Sequence, residues 1–311
     1  MNSHDPDEQE KHKFSPTQTL RLPYGPEPLQ FGNLYLPNTP GPHPIAILIH
    51  GGYWRARYGL DLMIGLAEDL ATRGYAAWNI EYRRVGNPGG GWPGTFLDVA
   101  FAADYLRILA PTYSLNLQRV VPIGHSAGGH LALWLAARPR IPFVAHNSPL
   151  AGSQVSPSRS YDEETATPTP LALTGAISLA GVVDLELAWR LNLSNGAVID
   201  LLGGGFNDVL ERYAAASPTA LLPLGVPQVL IHGTSDASVP LQVSQAYTKA
   251  AKAANDPVTY IELEGVDHFE VIDPNSSAWA ITIEALQKLV GQGKEQRNME
   301  EKISNNTQPI L

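Results

Sequence analysis

The sequence Gly-His-Ser-Ala-Gly at residues 124–128 places the strongest constraint on the fold of this chain. It lies between a β-branched run, Arg119–Ile123, and an apolar run with helical spacing, Ala127–Ala137. When a strand turns into a helix over so few residues, the positions two before and two after Ser126 have no room for a side chain, and both are glycine. The pattern predicts a tight strand–turn–helix that exposes the Ser126 hydroxyl above the edge of a sheet.

Strand-like and helix-like segments alternate along the rest of the chain. Strands that alternate with helices of about 10 to 15 residues form a parallel sheet through right-handed crossovers. We therefore predict an α/β fold, a three-layer α/β/α architecture with a mostly parallel central sheet and active groups at the carboxyl ends of its strands. The predicted strands are Leu29–Leu36, Ile45–His50, Ala76–Ile80, Arg119–Ile123, Ala176–Leu179, Gln228–His232 and Val258–Leu263. The predicted helices are Leu60–Arg73, Thr95–Leu109, Ala127–Ala137, Leu241–Ala254 and Ser277–Val290.

The pattern predicts one catalytic domain over residues 19–291. The two ends, 1–18 and 292–311, are polar and lack apolar periodicity, so we expect flexible segments there. Two stretches interrupt the alternation within the domain: 139–170, which is rich in Pro, Ser and Thr, and 184–216, which holds two or three helical pieces. Long insertions of this kind are usually either functional or disordered, and we expect both to form a small cap or lid over the active-site end of the sheet.

Composition excludes several classes of partner and chemistry. The net charge is −9, and such a surface repels phosphate backbones and anionic headgroups, so neither nucleic acid nor a membrane is an expected partner. The absence of cysteine excludes thiolate nucleophiles, disulfides and Cys-ligated metals. Residues Met1–Lys13 lack the apolar core of a secretory signal, and the longest apolar run, Ile45–Ile49, is far shorter than the ~20 residues that span a bilayer. A cytoplasmic location is predicted, and a homodimer is left open.

Two residues at the ends of later strands are candidates to activate Ser126. Asp236 lies in the loop after Gln228–His232, and His268 lies in the loop after Val258–Leu263. The order serine, acid, histidine is the one associated with this type of turn, and parallel strands bring such loops to one edge of the sheet. The sequence therefore predicts Ser126 as nucleophile, His268 as general base and Asp236 as the acid that orients the base.

Two other acids compete for a role near this site. Asp184 follows the strand Ala176–Leu179 and is a rival orienting acid, although Asp236 is favoured by its position before the last strand. Asp267, next to the base, is interpreted as either a helix N-cap or a supporting group.

A glycine-containing loop, His50-Gly51-Gly52-Tyr53-Trp54, follows the strand that ends at Ile49. Glycines let the backbone approach a substrate and present N–H groups to it. In this arrangement the loop contributes oxyanion donors together with the residue after the nucleophile. The N–H groups of Gly52, Tyr53 and Ala127 are therefore the predicted oxyanion hole.

The side chains around the nucleophile carry less specific predictions. Tyr53 and Trp54 are expected either to line the substrate pocket or to pack. His125 is a candidate substrate contact or a packing residue, and His50 is interpreted as a structural histidine that pins its loop. A metal site is not predicted, because the sequence lacks His-Glu-x-x-His and other clustered ligand spacings.

These motifs together resemble the esterase/lipase type of the α/β-hydrolase superfamily over roughly residues 29–290. The His-Gly-Gly-x-Trp loop with Gly-His-Ser-Ala-Gly-Gly-His-Leu-Ala is similar to the branch that contains kynurenine formamidases and BD-FAE-like carboxylesterases. Esterases of the hormone-sensitive-lipase type usually carry a third glycine where this chain has Tyr53, which favours the formamidase-like branch. The resemblance implies hydrolysis of esters, aryl formamides or peptides, and it implies that no cofactor is needed.

The resulting hypothesis is a serine hydrolase of the carboxylesterase type, class EC 3.1.1, that cleaves a small carboxylic ester through an acyl-enzyme. Arylformamidase activity on N-formylkynurenine, class EC 3.5.1, and a peptidase-like amidase activity are the alternatives, since the chemistry is shared. A non-catalytic binding module is a hypothesis of a different class, and the filled triad positions argue against it.

Overall fold

Eight strands form one sheet that organises the whole chain. The computed structural model describes residues 18–141 and 169–305 of the 311, with side chains up to residue 291. The strands are β1 Gln18–Pro23, β2 Phe31–Leu36, β3 His43–Ile49, β4 Ala76–Ile80, β5 Leu115–His125, β6 Ala176–Leu179, β7 Gln228–Gly233 and β8 Val258–Leu263. Their order across the sheet is β1-β2-β4-β3-β5-β6-β7-β8.

The sheet is parallel except at one edge. β1 pairs antiparallel with β2 and β2 antiparallel with β4, whereas the remaining neighbours are parallel. The predicted mostly parallel sheet is confirmed. The sequence did not predict β1, because only Leu20 and Leu22 alternate with polar residues in it. It becomes a strand through pairing with β2 along its full length, from Gln18 opposite Leu36 to Pro23 opposite Phe31.

Helices cover both faces of the sheet. They are α1 Ile64–Thr72, α2 Gly94–Asp104, α3 Leu106–Tyr113, α4 Ala127–Ala137, α5 Leu185–Arg190, α6 Ala197–Leu202, α7 Leu210–Ala216, α8 Gln242–Ala253 and α9 Ser277–Asn305. Alternate residues of β3 enter different cores: Ile47 packs with Leu131 of α4, and Leu48 packs on the side of Leu66 of α1 and Trp279 of α9. This alternation is what a strand buried on both faces requires, and the predicted three-layer architecture is confirmed.

Three helix boundaries differ from the predicted ones. The predicted helix Leu60–Arg73 begins as a 3₁₀ turn, Leu60–Met63, before α1. The predicted helix Thr95–Leu109 is two helices, α2 and α3, and Pro111 lies inside α3 rather than after it. Because proline has no N–H to donate, α3 ends soon after it. α9 continues past Val290 to Asn305, since the Gln, Lys, Glu and Arg residues of that stretch favour helix without needing a core.

The insertion 184–216 contains α5, α6 and α7, in agreement with the predicted helical pieces. It contacts the loop after β3, where Arg55 Nη2 donates to Ser194 O at 2.8 Å and to Asp200 Oδ2 at 2.9 Å. Most of the other predicted insertion, residues 142–168, lies outside the described residues, as do residues 1–17 and 306–311. Among the helices that the structure describes, none combines the length and apolarity needed to cross a bilayer.

Candidate active site

Ser126 lies in a strained turn between β5 and α4. Its backbone has φ 55° and ψ −117°, a conformation that L-residues rarely adopt. A Cβ atom placed on Gly124 would lie 1.9 Å from the carbonyl oxygen of Gly128, and one placed on Gly128 would lie 2.0 Å from that of Ile49. Neither position tolerates a side chain, so the steric reason for the two glycines is confirmed.

Asp236 and His268 are joined directly at the carboxyl ends of β7 and β8. His268 Nδ1 donates to Asp236 Oδ2 at 2.6 Å. The other carboxylate oxygen, Oδ1, accepts the N–H groups of Ser238 at 2.7 Å and Val239 at 2.8 Å. Because the carboxylate accepts at Nδ1, the neutral imidazole keeps its Nε2 lone pair free to take a proton, as a general base requires.

The Asp236 side chain is completely buried, yet it remains an anion. Burial by itself would raise the pKa of Asp236, but hydrogen bonds from His232, His268 and the Val239 N–H, together with the positive charge that His268 can carry, lower it well below its usual range. A fixed negative charge therefore faces the imidazole.

The two competing acids have structural roles. Asp184 accepts the Leu187 N–H at 2.9 Å and caps the N-terminus of α5. Asp267 accepts the N–H groups of Phe269 and Glu270, both at 2.8 Å, in a local turn. Asp267 therefore stabilises the turn before the short 3₁₀ helix Glu270–Ile272 and is not its N-cap, which is Phe269. The rival role of Asp184 does not agree with the geometry, because His268 bonds Asp236.

His125 connects the serine turn to the base loop. Its ring centroid lies 4.6 Å from that of His268, and its Nε2 donates to the His268 carbonyl at 2.8 Å. The described contacts do not include a direct hydrogen bond between Ser126 Oγ and His268 Nε2. Catalytic hydrogen bonds are often long before substrate binds and shorten in the complex. The structure therefore brings the serine and base loops together through the neighbour of Ser126.

The loop after β3 packs against the same serine. A Cβ atom on Gly51 would lie 2.9 Å from Ser126 Cβ, so this backbone passes directly beside the nucleophile turn. Gly52, Tyr53 and Trp54 have φ values of 110°, 50° and 56°. Three successive left-handed residues turn the chain sharply, and a non-glycine residue in that region costs of order 1–3 kcal/mol. The Ala127 N–H, at the first position of α4, has no partner within the helix.

Side-chain anchors hold this strained loop in place. The Tyr53 hydroxyl donates to Ser238 O at 2.5 Å, which ties the loop to the one that carries Asp236. Burial and the nearby charge of Asp236 raise the pKa of Tyr53 to about 12, so the hydroxyl stays a donor. Trp54 Nε1 donates to His130 Nδ1 at 3.2 Å, and His130 Nε2 donates to Ala216 O at 2.9 Å at the end of α7.

Two of the side chains predicted to contact a substrate pack inside the protein instead. Trp54 is 0% exposed and donates to His130, and His125 donates to the His268 carbonyl, so both side chains are engaged in packing contacts. Both were candidates for substrate binding, and the packing alternative is the one the geometry supports. Their aromatic character is visible in the sequence, but their burial depends on α4 and α7, which lie elsewhere in the chain. Tyr53 is partly buried, and its hydroxyl is already used by Ser238 O.

His50 has the structural surroundings predicted for it. Its Nε2 contacts Glu81 Oε1 at 3.0 Å, and its ring stacks on Tyr82 with centroids 4.4 Å apart. The Tyr82 hydroxyl donates to the His50 carbonyl at 2.9 Å. Burial would raise the pKa of Glu81, but the hydrogen bond from His50 and the charge of Arg84 lower it on balance. This buried network fixes the start of the loop.

A second histidine, which sequence reasoning did not identify, contacts the carboxylate of Asp236. His232, at the end of β7, contacts Asp236 Oδ2 through Nε2 at 3.1 Å and is fully buried. Its position four residues before Asp236, at the end of a strand, was the available signal. Within residues 18–141 and 169–305, no group of three or more His, Cys, Asp or Glu residues could hold a metal ion.

Comparison with known proteins identifies the family of this chain. The family model described as BD-FAE matches residues 33–251, more than half of the chain, including Ser126 and Asp236. The chain belongs to the BD-FAE family. The resemblance to an esterase-type α/β-hydrolase drawn from the motifs is confirmed.

Curated relatives of this BD-FAE protein include esterases. It is 25% identical over 272 residues to Esterase LipC of Mycobacterium tuberculosis (strain ATCC 25618 / H37Rv) and 27% identical over 270 residues to a probable isoprenylcysteine alpha-carbonyl methylesterase of Oryza sativa subsp. japonica. The matches cover 81% and 83% of this chain but 60% of each relative. The chain therefore spans about 60% of the length of these two relatives.

Solved structures share the fold of this BD-FAE protein. A truncated form of a carbohydrate esterase from gut microbiota superposes with a TM-score of 0.70 at 19% identity and covers 90% of this chain and 98% of that one. The native esterase Est2 of Thermogutta terrifontis has a TM-score of 0.67 at 20% identity, with 88% and 92% covered. These similarities confirm the α/β-hydrolase fold.

Proposed function

We propose that this protein is a carboxylesterase in which Ser126 attacks the ester carbonyl, His268 acts as general base and Asp236 orients the histidine. The observation that carries the proposal is the 2.6 Å hydrogen bond from His268 Nδ1 to the buried Asp236 carboxylate, beside a serine held at φ 55° in a turn that excludes side chains. Membership of the BD-FAE family and similarity to esterases support the same reaction type.

The proposed reaction follows from the proton positions. Ser126 Oγ attacks the carbonyl carbon while His268 Nε2 takes its proton, and Asp236 stabilises the imidazolium that forms. His268 then donates this proton to the leaving alcohol as the C–O bond breaks. Water, deprotonated by the same imidazole, attacks the acyl-enzyme and releases the acid and free Ser126.

The proposed oxyanion hole consists of the N–H groups of Gly52, Tyr53 and Ala127. The loop after β3 passes within contact distance of Ser126, and Ala127 is the first residue of α4. Donors placed where negative charge develops contribute about 3 kcal/mol each to transition-state stabilisation. The anchored side chains of Tyr53 and Trp54 would keep the loop rigid during the reaction.

Substitution of the proposed nucleophile tests the function. We expect Ser126→Ala to lower hydrolysis of short p-nitrophenyl esters by at least about 10⁴-fold, since triad residues act as a unit. Paraoxon gives a second readout, because a solved structure of Thermogutta terrifontis esterase 2 is that enzyme phosphorylated by paraoxon. Mass spectrometry should locate the diethyl phosphoryl adduct on Ser126.

The exposed serine at position 114, before the start of β5, is the matched control. Ser114→Ala should keep full activity and full labelling. Unchanged hydrolysis by Ser126→Ala, or an adduct elsewhere in the active wild-type protein, would refute the proposal.

A substrate panel addresses the narrower class. We propose a small uncharged ester over an aryl formamide, and parallel kcat/KM values for phenyl esters and the matching N-formyl anilines test this choice. Higher kcat/KM for the formamides would assign the protein to the arylformamidase alternative. The cytoplasmic location and a homodimer stay predictions, to be tested by cell fractionation and sedimentation.

A further inference from the structure

A buried histidine outside the proposed triad binds the same carboxylate oxygen as the base. His232 Nε2 lies 3.1 Å from Asp236 Oδ2 and 2.9 Å from the Val239 carbonyl oxygen. Its Nδ1 lies 2.8 Å from Ser244 Oγ in α8. Asp236 Oδ2 thus lies between two imidazoles, those of His232 and His268.

The partners of His232 define where its proton sits. A carbonyl oxygen can only accept, so Nε2 carries the hydrogen and donates to both Val239 O and Asp236 Oδ2. In the neutral ring, Nδ1 then accepts from the Ser244 hydroxyl. Ser244 is itself buried, 1% exposed, and lies in the first turn of α8, so its hydroxyl holds the ring orientation.

We propose, on the basis of the proposed function, that His232 is a positioning residue for the Asp236–His268 pair. The Nε2–H of His232 holds Oδ2 of Asp236 in the plane where His268 Nδ1 can donate to it. The same hydrogen bond lowers the basicity of that oxygen. His232 would act only through Asp236, since the ring is 0% exposed and meets no substrate.

The proposal makes a specific statement about the pH profile. Without the His232 N–H, the negative charge on Oδ2 attracts the His268 imidazolium more strongly, so the base is protonated at higher pH. The titratable groups that surround this pair are few. They include Tyr53 in the loop after β3, His125 at the end of β5 and Asp267 in the loop after β8. The charge of Asp267 interacts with both His268 and Asp236.

The experiment compares two substitutions that differ in hydrogen bonding. His232→Leu removes donor and acceptor, whereas His232→Gln retains an amide N–H near the position of His232 Nε2. We expect His232→Leu to lower kcat/KM by about 10- to 100-fold, the loss that corresponds to one hydrogen bond to a charged group. The midpoint of the acid limb should move to higher pH, and His232→Gln should restore most of the rate and the wild-type midpoint.

Two further variants separate positioning from a general loss of packing. Ser244→Ala removes the partner that orients the ring and should shift the midpoint in the same direction by less. His43→Gln changes a buried histidine at the amino end of β3, the opposite edge of the sheet, and should leave the midpoint unchanged. Should His232→Leu fail to fold, Ser244→Ala and His232→Gln together still decide the question.

The outcomes distinguish this inference from the proposed function. An inactive wild-type protein would refute the proposed function, and the downfield NMR resonance of the His268 Nδ1–H would still test the positioning. A change in the chemical shift of that resonance in His232→Leu, with the wild-type shift in His232→Gln, supports the proposal. An active wild type whose acid limb and downfield resonance are the same in all His232 and Ser244 variants would overturn it.

Discussion

At the scale of single residues, two glycines decide whether the nucleophile turn can exist. Gly128 shows the reason most clearly, because an added Cβ would overlap the Ile49 carbonyl oxygen at 2.0 Å and that of His50 at 2.6 Å. Both are backbone atoms at the end of a fully buried strand, so they cannot move aside as a flexible side chain could. The turn therefore requires glycine at position 128, because no Cβ atom fits there.

We predict that Gly128→Ala lowers the free energy of unfolding by about 3 kcal/mol or more, at or above the usual upper end for overpacking in a well-packed site. Urea denaturation followed by fluorescence measures it. Gly291→Ala is the matched control, because its added Cβ meets nothing within 4 Å and the residue lies in α9. A Gly128→Ala protein as stable and active as Gly291→Ala would contradict this account of the turn.

At the scale of elements, one tryptophan joins two helices on the same face of the sheet. Trp279 of α9 is fully buried, and its Nε1 donates to Asp69 Oδ2 in α1 at 2.7 Å. The same oxygen accepts from Arg73 Nε at 2.6 Å, so Asp69 remains partnered if the tryptophan is removed. The contact combines a large apolar area with one partly buried hydrogen bond.

Graded substitutions at position 279 separate these two contributions. We expect Trp279→Ala to cost about 3–5 kcal/mol of unfolding free energy and Trp279→Phe, which mainly removes the hydrogen bond, about 1 kcal/mol. Chemical denaturation measures both values. Since Trp279 is fully buried in the core on the α1 side of the sheet, kcat/KM of the folded protein should be unchanged. Equal losses from the two substitutions would show that packing contributes little there.

At the scale of the whole molecule, buried histidines link stability to pH. Burial lowers the pKa of His130 to about 4 and, together with the charge of His268, lowers that of His125 to about 3. In the unfolded chain both titrate near the ordinary value of 6.5. Below that pH the unfolded state binds protons that the native state does not, so stability must fall as the pH drops from 6.5 towards 4.

We predict that His130→Gln reduces this pH dependence. A change of pKa from 6.5 to about 4 corresponds to about 3 kcal/mol of folding free energy, lost progressively on acidification. The variant should be less stable than wild type at pH 8, because it loses the Trp54 and Ala216 contacts, but its stability should decline less between pH 6.5 and pH 4. Urea unfolding at several pH values measures this, and parallel declines would contradict the assignment.

Much of the fold was predictable because it follows from local patterns. Ala76–Ile80, Ala176–Leu179 and Val258–Leu263 are strands with the predicted bounds, since each short apolar run is bounded by turn residues. The two glycines around Ser126 restrict their own backbone, so their neighbours in the chain were sufficient to predict the turn. Strand ends also indicated where Asp236 and His268 would lie.

Contacts between distant segments were decided only by the tertiary structure. The choice of Asp236 over Asp184 depends on which loop lies beside His268, and the burial of Trp54 depends on His130 in α4. The spacing of His232 and Asp236 placed both residues at the end of β7, but their bond forms only when the loop after β7 folds back on the strand. Sequence patterns report the preferences of a segment for strand, helix or turn, whereas the partners of a side chain are set by how the segments pack.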